Sequence, residues 1–185
     1  MNKKILLIIA VLASVALTAR ANLVTNPGFE TGDFTGWTQF GDTSFSGVAG
    51  TFDGQPPHSG NFQGYFGPTS TFGGLDQTLA TSPGAYTIDF WLANGDTSFN
   101  NGFYVSFNGV HLLDLTNSPS FPYTHYTFTG TATGSSTVLE FGFYNPAVYW
   151  YLDDVSVNAV PEPGTLGLIA LGGLGLVAAL RKRLA

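Results

Sequence analysis

A two-sheet antiparallel β-sandwich is the fold this 185-residue sequence predicts, and three observations predict it. Between Asn22 and Ala159, apolar and polar residues alternate with a period of two, and no amphipathic helical pattern interrupts them. Turn pairs punctuate the alternation: Asn94-Gly95, Asn101-Gly102, Asn108-Gly109 and Thr133-Gly134. The composition supplies 16 Phe, 8 Tyr and 24 Gly, which suits strands, tight turns and a sizeable core.

The first segment, "MNKKILLIIAVLASVALTARAN", reads as an export signal. Lys3 and Lys4 form a short positive region, and Ile5 to Leu17 form an apolar stretch. Ala19 and Ala21 then place small residues before a cut. Residues 1–21 are therefore expected to be a signal helix removed after Ala21, leaving 22–159 as the sandwich domain.

Within the domain each clear run has a core side. "AYTIDFWLA" sets Tyr86, Ile88, Phe90 and Leu92 against Thr87, Asp89, Trp91 and Ala93. "GFYVSFNG" points Phe103, Val105 and Phe107 one way. "HYTFTGTA" repeats the pattern, and "TVLEFGFYN" aligns Leu139, Phe141 and Phe143. "VYWYLDDVSV" closes the domain. About eight to ten strands are expected in all.

Charge narrows the partners. The chain's six basic residues are Lys3, Lys4, Arg20, Arg181, Lys182 and Arg183, so 22–159 contains no Lys or Arg. Eleven of the twelve acids lie there, all but Glu162, which gives the domain a formal charge of −11 with His neutral. Nucleic acid is excluded as a partner, because no cation is available to meet phosphate. Adjacent carboxylates must be hydrogen-bonded, kept apart or bridged by a bound cation. With no Cys in the chain, disulfides and thiolate sites are excluded.

The tail "PEPGTLGLIALGGLGLVAALRKRLA" carries an apolar run from Gly164 to Leu180 followed by Arg181, Lys182 and Arg183. As a helix the run spans roughly 25 Å, nearly the hydrocarbon thickness of a bilayer. The basic cluster is expected on the cytoplasmic side, which places the domain outside the inner membrane. Pro161-Glu162-Pro163, an apolar helix and a terminal basic cluster, in that order, resemble the PEP-CTERM protein-sorting segment of Gram-negative bacteria. The resemblance covers residues 160–185. It implies processing by exosortase, a membrane-embedded cysteine-type transpeptidase, in hosts that typically make exopolysaccharide. It also implies a transient anchor, with the protein passing to the envelope or the extracellular space. The prolines fix an extended, accessible strip outside the bilayer, as a processing enzyme requires.

A second resemblance covers most of Asn22–Val157. "NLVTNPGFETGDFTGWT" looks like the opening of jelly-roll carbohydrate-binding modules of the galactose-binding-like type. "YLDDVSV" looks like their last strand, and "HSGNFQGYFG" like their Ser-Gly turn and next strand. The resemblance implies an all-β antiparallel jelly roll, and one structural Ca²⁺ held by Glu30 and Asp153 with backbone carbonyls. Trp37, Trp91, Tyr149, Trp150 and Tyr151 are candidates for stacking on sugar rings. Trp91 qualifies only if its strand register holds.

No catalytic residue is assigned. Asp153-Asp154, Asp89 and Glu140 show no spacing that singles out an acid and a base. His58, His111 and His125 are scattered, and neither Gly-x-Ser-x-Gly nor His-Glu-x-x-His occurs. The expected function is a non-enzymatic envelope or matrix protein associated with exopolysaccharide. The alternatives are a specific carbohydrate-binding module and, third, a small glycoside hydrolase or esterase.

Overall fold

The period-two runs fold as ten strands in a computed structural model that describes residues 21–95 and 100–161. They are β1 (Thr38–Gly41), β2 (Ser46–Ala49), β3 (Gln63–Phe66), β4 (Gly73–Ala80) and β5 (Gly84–Asn94). β6 (Gly102–Phe107), β7 (Val110–Thr116), β8 (Phe121–Ala132), β9 (Ser136–Tyr144) and β10 (Trp150–Ala159) follow. One sheet has the order β1-β4-β9-β6-β7 and the other β2-β3-β10-β5-β8. Every pairing is antiparallel. The fold is therefore an all-β, two-sheet antiparallel sandwich, and Asn22–Ala159 form one compact unit. No helix among the described residues is long and apolar enough to cross a membrane. The expected signal helix, the 164–180 span, Glu162, Pro163 and the 181–183 cluster lie outside the described residues.

The core is built from the predicted faces. Ile88, Phe90 and Leu92 of β5 meet Leu139, Phe141 and Phe143 of β9, all fully buried. Phe66 stacks on Phe143 with ring centroids 4.0 Å apart, and Phe90 meets Phe141 edge-on at 5.2 Å. Such pairs add to simple area burial. The β6–β7 hairpin turns at Asn108 (φ 56°) and Gly109 (φ 73°), the left-handed pair that a two-residue hairpin needs. The opening segment does not form a strand. Leu23 N donates to Val157 O at 3.0 Å, and Asn22 Oδ1 accepts from Val157 N at 2.9 Å, which lays residues 22–24 beside β10.

One irregularity matters for function. The β5–β10 register shifts between Asp153 and Ser156, and Asp154 sits at φ 49°. This bulge places one extra residue on β10. Leu152 and Val155 both remain in the core, while two consecutive carboxylates, Asp153 and Asp154, turn outward.

Candidate functional site

The bulged carboxylates meet the loop that precedes β3. Asp153 is fully buried, and its Oδ2 accepts from His58 N (2.8 Å) and Ser59 N (3.2 Å). Asp153 Oδ1 accepts from Asp154 N at 2.8 Å. Asp154 Oδ2 pairs with His58 Nδ1 at 2.6 Å, and its Oδ1 accepts from Ser59 Oγ at 2.7 Å. Glu30 holds the next stretch of the same loop, accepting from Asn61 N at 2.9 Å and Phe62 N at 3.1 Å. Burial pushes the Asp153 carboxyl up to about 6, against its amide donors. For Glu30 desolvation is the largest single influence and acts upward, but the Asn61 and Phe62 donors together hold the carboxyl below its ordinary value.

Glu30 and Asp153 thus converge on residues 58–62, although 123 positions separate them in the chain. Gly28 completes the place. A Cβ there would stand 3.5 Å from both Asp153 Oδ1 and Asp154 Oδ1, so the missing side chain leaves an oxygen-lined cradle. Among the described residues no three His, Asp or Glu side chains make a metal cage unaided, so backbone carbonyls would have to complete any shell.

The aromatic candidates separate by face. Trp37 and Trp150 are 7% and 0% exposed and cannot present a ring to a ligand. Trp37 packs on Phe29 and Phe141 and donates Nε1–H to Asn26 O. Trp150 packs on Phe103 and donates Nε1–H to Tyr144 O at 3.1 Å. Both satisfy their one polar atom inside the core, which is what lets an indole be buried. Tyr151 points outward but is 3% exposed.

Trp91 does face outward, because Asp153 and His125 flank it in register on β10 and β8. His58 stacks on it at 3.7 Å and His125 at 5.0 Å. His58 is tied over β10 and His125 lies on β8. Half-buried Trp91, which the sequence offered as a sugar platform, thus also clasps the 50–62 loop through His58. Gln63 secures the same loop, with Nε2 donating to Gly50 O and Gln55 O and Oε1 accepting from Tyr123 Oη.

Tyr149 borders an open cleft of about 240 Å³ between the β1–β2, β3–β4 and β9–β10 connections. Phe45 lines the same cleft, 63% exposed and at φ 53°. A bulky residue in the left-handed region is a strained outlier. Asp42 ties the preceding Ser44 to the β3–β4 connection. Its Oδ1 accepts from Ser44 N at 2.9 Å, and its Oδ2 from Thr69 N at 3.0 Å and Ser70 N at 2.9 Å. The Ser44 hydroxyl, then the Ser70 donors, hold this carboxyl far below the usual range. Gly67 donates to Phe45 O, and a Cβ on Gly67 would lie 2.9 Å from the Tyr149 ring, so only Gly lets that ring seat. Buried Asn145 organises the third side, with Oδ1 accepting from Val148 N at 3.0 Å.

Of the carboxylates weighed for catalysis, Asp153 and Asp154 adjoin, whereas Asp89 and Glu140 lie on different sheets. Asp89 pairs with His125 and Thr127 on the outer face of one sheet. Glu140 accepts from Tyr104 Oη at 2.8 Å on the outer face of the other.

Two comparisons with known proteins bear on this geometry. Residues 159–183 match the PEP-CTERM protein-sorting motif, which indicates an exported protein with a C-terminal membrane anchor before processing. Among solved structures, the domain resembles TmCBM61 in complex with β-1,4-galactotriose, with TM-score 0.61 and 19% identity over 76% of this chain and 99% of that one. It also resembles the CBM22-1 xylan-binding domain of Paenibacillus barcinonensis Xyn10C, with TM-score 0.53 and 14% identity over 78% and 97%. An arabinose-bound GH51 α-L-arabinofuranosidase, MgGH51, aligns with TM-score 0.57 and 12% identity, over 75% of this chain but 26% of the enzyme. These likenesses establish the jelly-roll fold of carbohydrate-binding modules. A search of curated protein sequences returns no match.

Proposed function

We propose that the chain is an exported, non-enzymatic envelope or matrix protein whose sandwich binds a polysaccharide. The observation that carries the reading is the Phe45–Tyr149 cleft. An exposed aromatic ring in a strained backbone conformation, next to a carboxylate clamp, lines one cleft with a second ring on a fold shared with carbohydrate-binding modules. Strain of that kind persists only where the surroundings enforce it. Aromatic rings flanked by backbone polar groups suit the apolar faces and hydroxyl rims of pyranoses. The PEP-CTERM segment supplies the address: exosortase processes it, and inner-membrane anchoring with the domain facing the periplasm precedes release to the cell surface or medium.

Affinity electrophoresis of the full chain in detergent, through gels containing neutral galactan, xylan or the host's own polysaccharide, tests the binding. Retention by at least one polymer is expected. Phe45→Ala or Tyr149→Ala should weaken it about tenfold. Phe45→Ala should leave stability within about 0.5 kcal/mol, as for an exposed side chain. Retention by none of these polymers, or retention unchanged in both variants, would remove the cleft from the reading. Intact-mass measurement of protein from envelope and medium tests the sorting. Loss of residues 1–21 and a truncated C-terminal segment are expected, and a full-length mass in a host with working exosortase would refute it.

A second reading concerns stability. Buried Asp153, with Asp154 and Glu30 around the Gly28 cradle and no Lys or Arg in the domain, favours one structural Ca²⁺ held by Glu30 and Asp153. The ion would tie the first loop, the 58–62 turn and the last strand together.

A further inference from the structure

The outer face of the β1-β4-β9-β6-β7 sheet carries a second cleft, of about 430 Å³, that includes Ser106, His111 and Glu140 in its lining. It lies by the start of β9 and the β6–β7 turn, whereas Asn145 and the Phe45–Tyr149 cleft follow the far end of β9. Its size is within the range of small-molecule sites. Ser106 is 6% exposed, lies between the core residues Val105 and Phe107 so that its side chain turns to the cleft, and makes no side-chain hydrogen bond among the described residues. Its hydroxyl opens onto the cleft, where it can donate to or accept from a ligand.

The neighbours are mostly acceptors. Glu140 receives Tyr104 Oη on Oε1 alone, which leaves Oε2 without a hydrogen bond. His111 is fixed by Asp114 at Nδ1, 2.7 Å away, and stacks on Tyr104 at 4.8 Å, so Nε2 remains for a ligand. Asp76 is the register partner of Glu140 and adds a second negative charge beside it. Burial first, and then the Glu140 charge, push the Asp76 carboxyl upward, so the pair lacks a compensating cation. No Lys or Arg in 22–159 can supply one. A uronate or a sulfated sugar would meet repulsion there. A sugar that brings its own ammonium group would meet Glu140 in a charge-assisted hydrogen bond, and its hydroxyls would find Ser106 and His111.

We propose that this cleft is a second saccharide subsite, selective for a sugar bearing a protonated amine. It goes beyond the Phe45–Tyr149 reading in both place and ligand, and shares with it only the glycan class.

Isothermal titration of the full chain in detergent tests it, with the β-1,4-linked glucosamine hexamer, its fully N-acetylated counterpart and a uronate hexamer, under conditions that keep the amines protonated. The glucosamine hexamer is expected to bind, the N-acetylated hexamer at least about tenfold more weakly, and the uronate not at all. Glu140→Gln keeps an acceptor for Tyr104 and should weaken the glucosamine hexamer about tenfold or more. Ser106→Ala, which removes one neutral partner, should weaken it about threefold. Phe45→Ala should leave this binding unchanged. Equal affinity for the two hexamers, no binding of the glucosamine hexamer, or binding that survives both cleft substitutions would overturn the proposal. Each of those results leaves the Phe45–Tyr149 reading intact if neutral polymers are still retained through Phe45. Glu140-dependent amine binding with no retention of neutral polymers would instead sink that reading alone.

Discussion

Trp150→Ala is expected to remove about 3–5 kcal/mol of stability, the usual range for deleting a buried aromatic side chain. The ring is fully enclosed on β10, the central strand of its sheet, against Phe103 and Phe121. The strand pairs there with both neighbours, Trp150 standing opposite Phe66 and Asn94. Truncation leaves a cavity between the sheets and frees the Tyr144 carbonyl that accepted the indole N–H. Against a total of about 5–15 kcal/mol for an ordinary domain, the loss is severe. Urea titration of the full chain, followed by far-ultraviolet circular dichroism, reads it. A midpoint indistinguishable from the parent's would show that this ring is not part of the core, and the sandwich described above would be wrong in its centre.

In the presence of a chelator, the domain is expected to become more stable as pH falls from about 7 toward 4. The Asp153 carboxyl is raised by burial from its ordinary 3.8 to about 6 in the fold. The folded state therefore holds that proton more tightly than the unfolded chain does. The contribution is fully present below the unfolded value and is lost as pH rises through 6; it corresponds to about 3 kcal/mol. Below pH 4 the sign reverses. Asp42, Asp33 and Glu30 are all held below their ordinary values, so the stability they supply is lost as they take up protons. The two trends meet in a maximum near pH 4. Calcium would remove the upper limb, because the ion requires ionised Asp153, and stability would then rise with pH through 6. Thermal melts across pH 3–8, with calcium and with chelator, decide the matter. Superimposable curves would dismiss the ion, and Asp153→Asn should flatten the slope between pH 4 and 6 in chelator.

The sandwich was legible because its signal is periodic. The core faces of β5, β6 and β9 fall where alternation puts them, and the Asn108-Gly109 turn closes β6 onto β7. The resemblance singled out Glu30 and Asp153 together, whereas their shared hold on the 58–62 loop is seen only in the fold. What periodicity could not show was anything that breaks it. The Asp154 bulge adds a residue that alternation does not count, so two outward carboxylates in a row read as one outward and one inward. The 50–62 loop lies over an outer face that the strand pattern leaves open, and its His58 stacks on Trp91 there. Trp37 and Trp150 were candidates only because an indole reads alike in a core and on a platform. Phe45 was missed outright, since a lone Phe in a loop carries no signal until its left-handed backbone and its exposure are seen together.

β8 ends its sheet, twelve residues long, and among the described residues no strand pairs with its outer edge. Apart from His125 it has no ionisable side chain other than Tyr, and Pro122 interrupts it only near its start. Such a border is a template for further strands. Mutual repulsion between two strongly anionic domains opposes such pairing, and salt screens it to a range of about 8 Å at physiological ionic strength. Concentrated stocks should accordingly stay clear in dilute buffer and turn cloudy as sodium chloride is added.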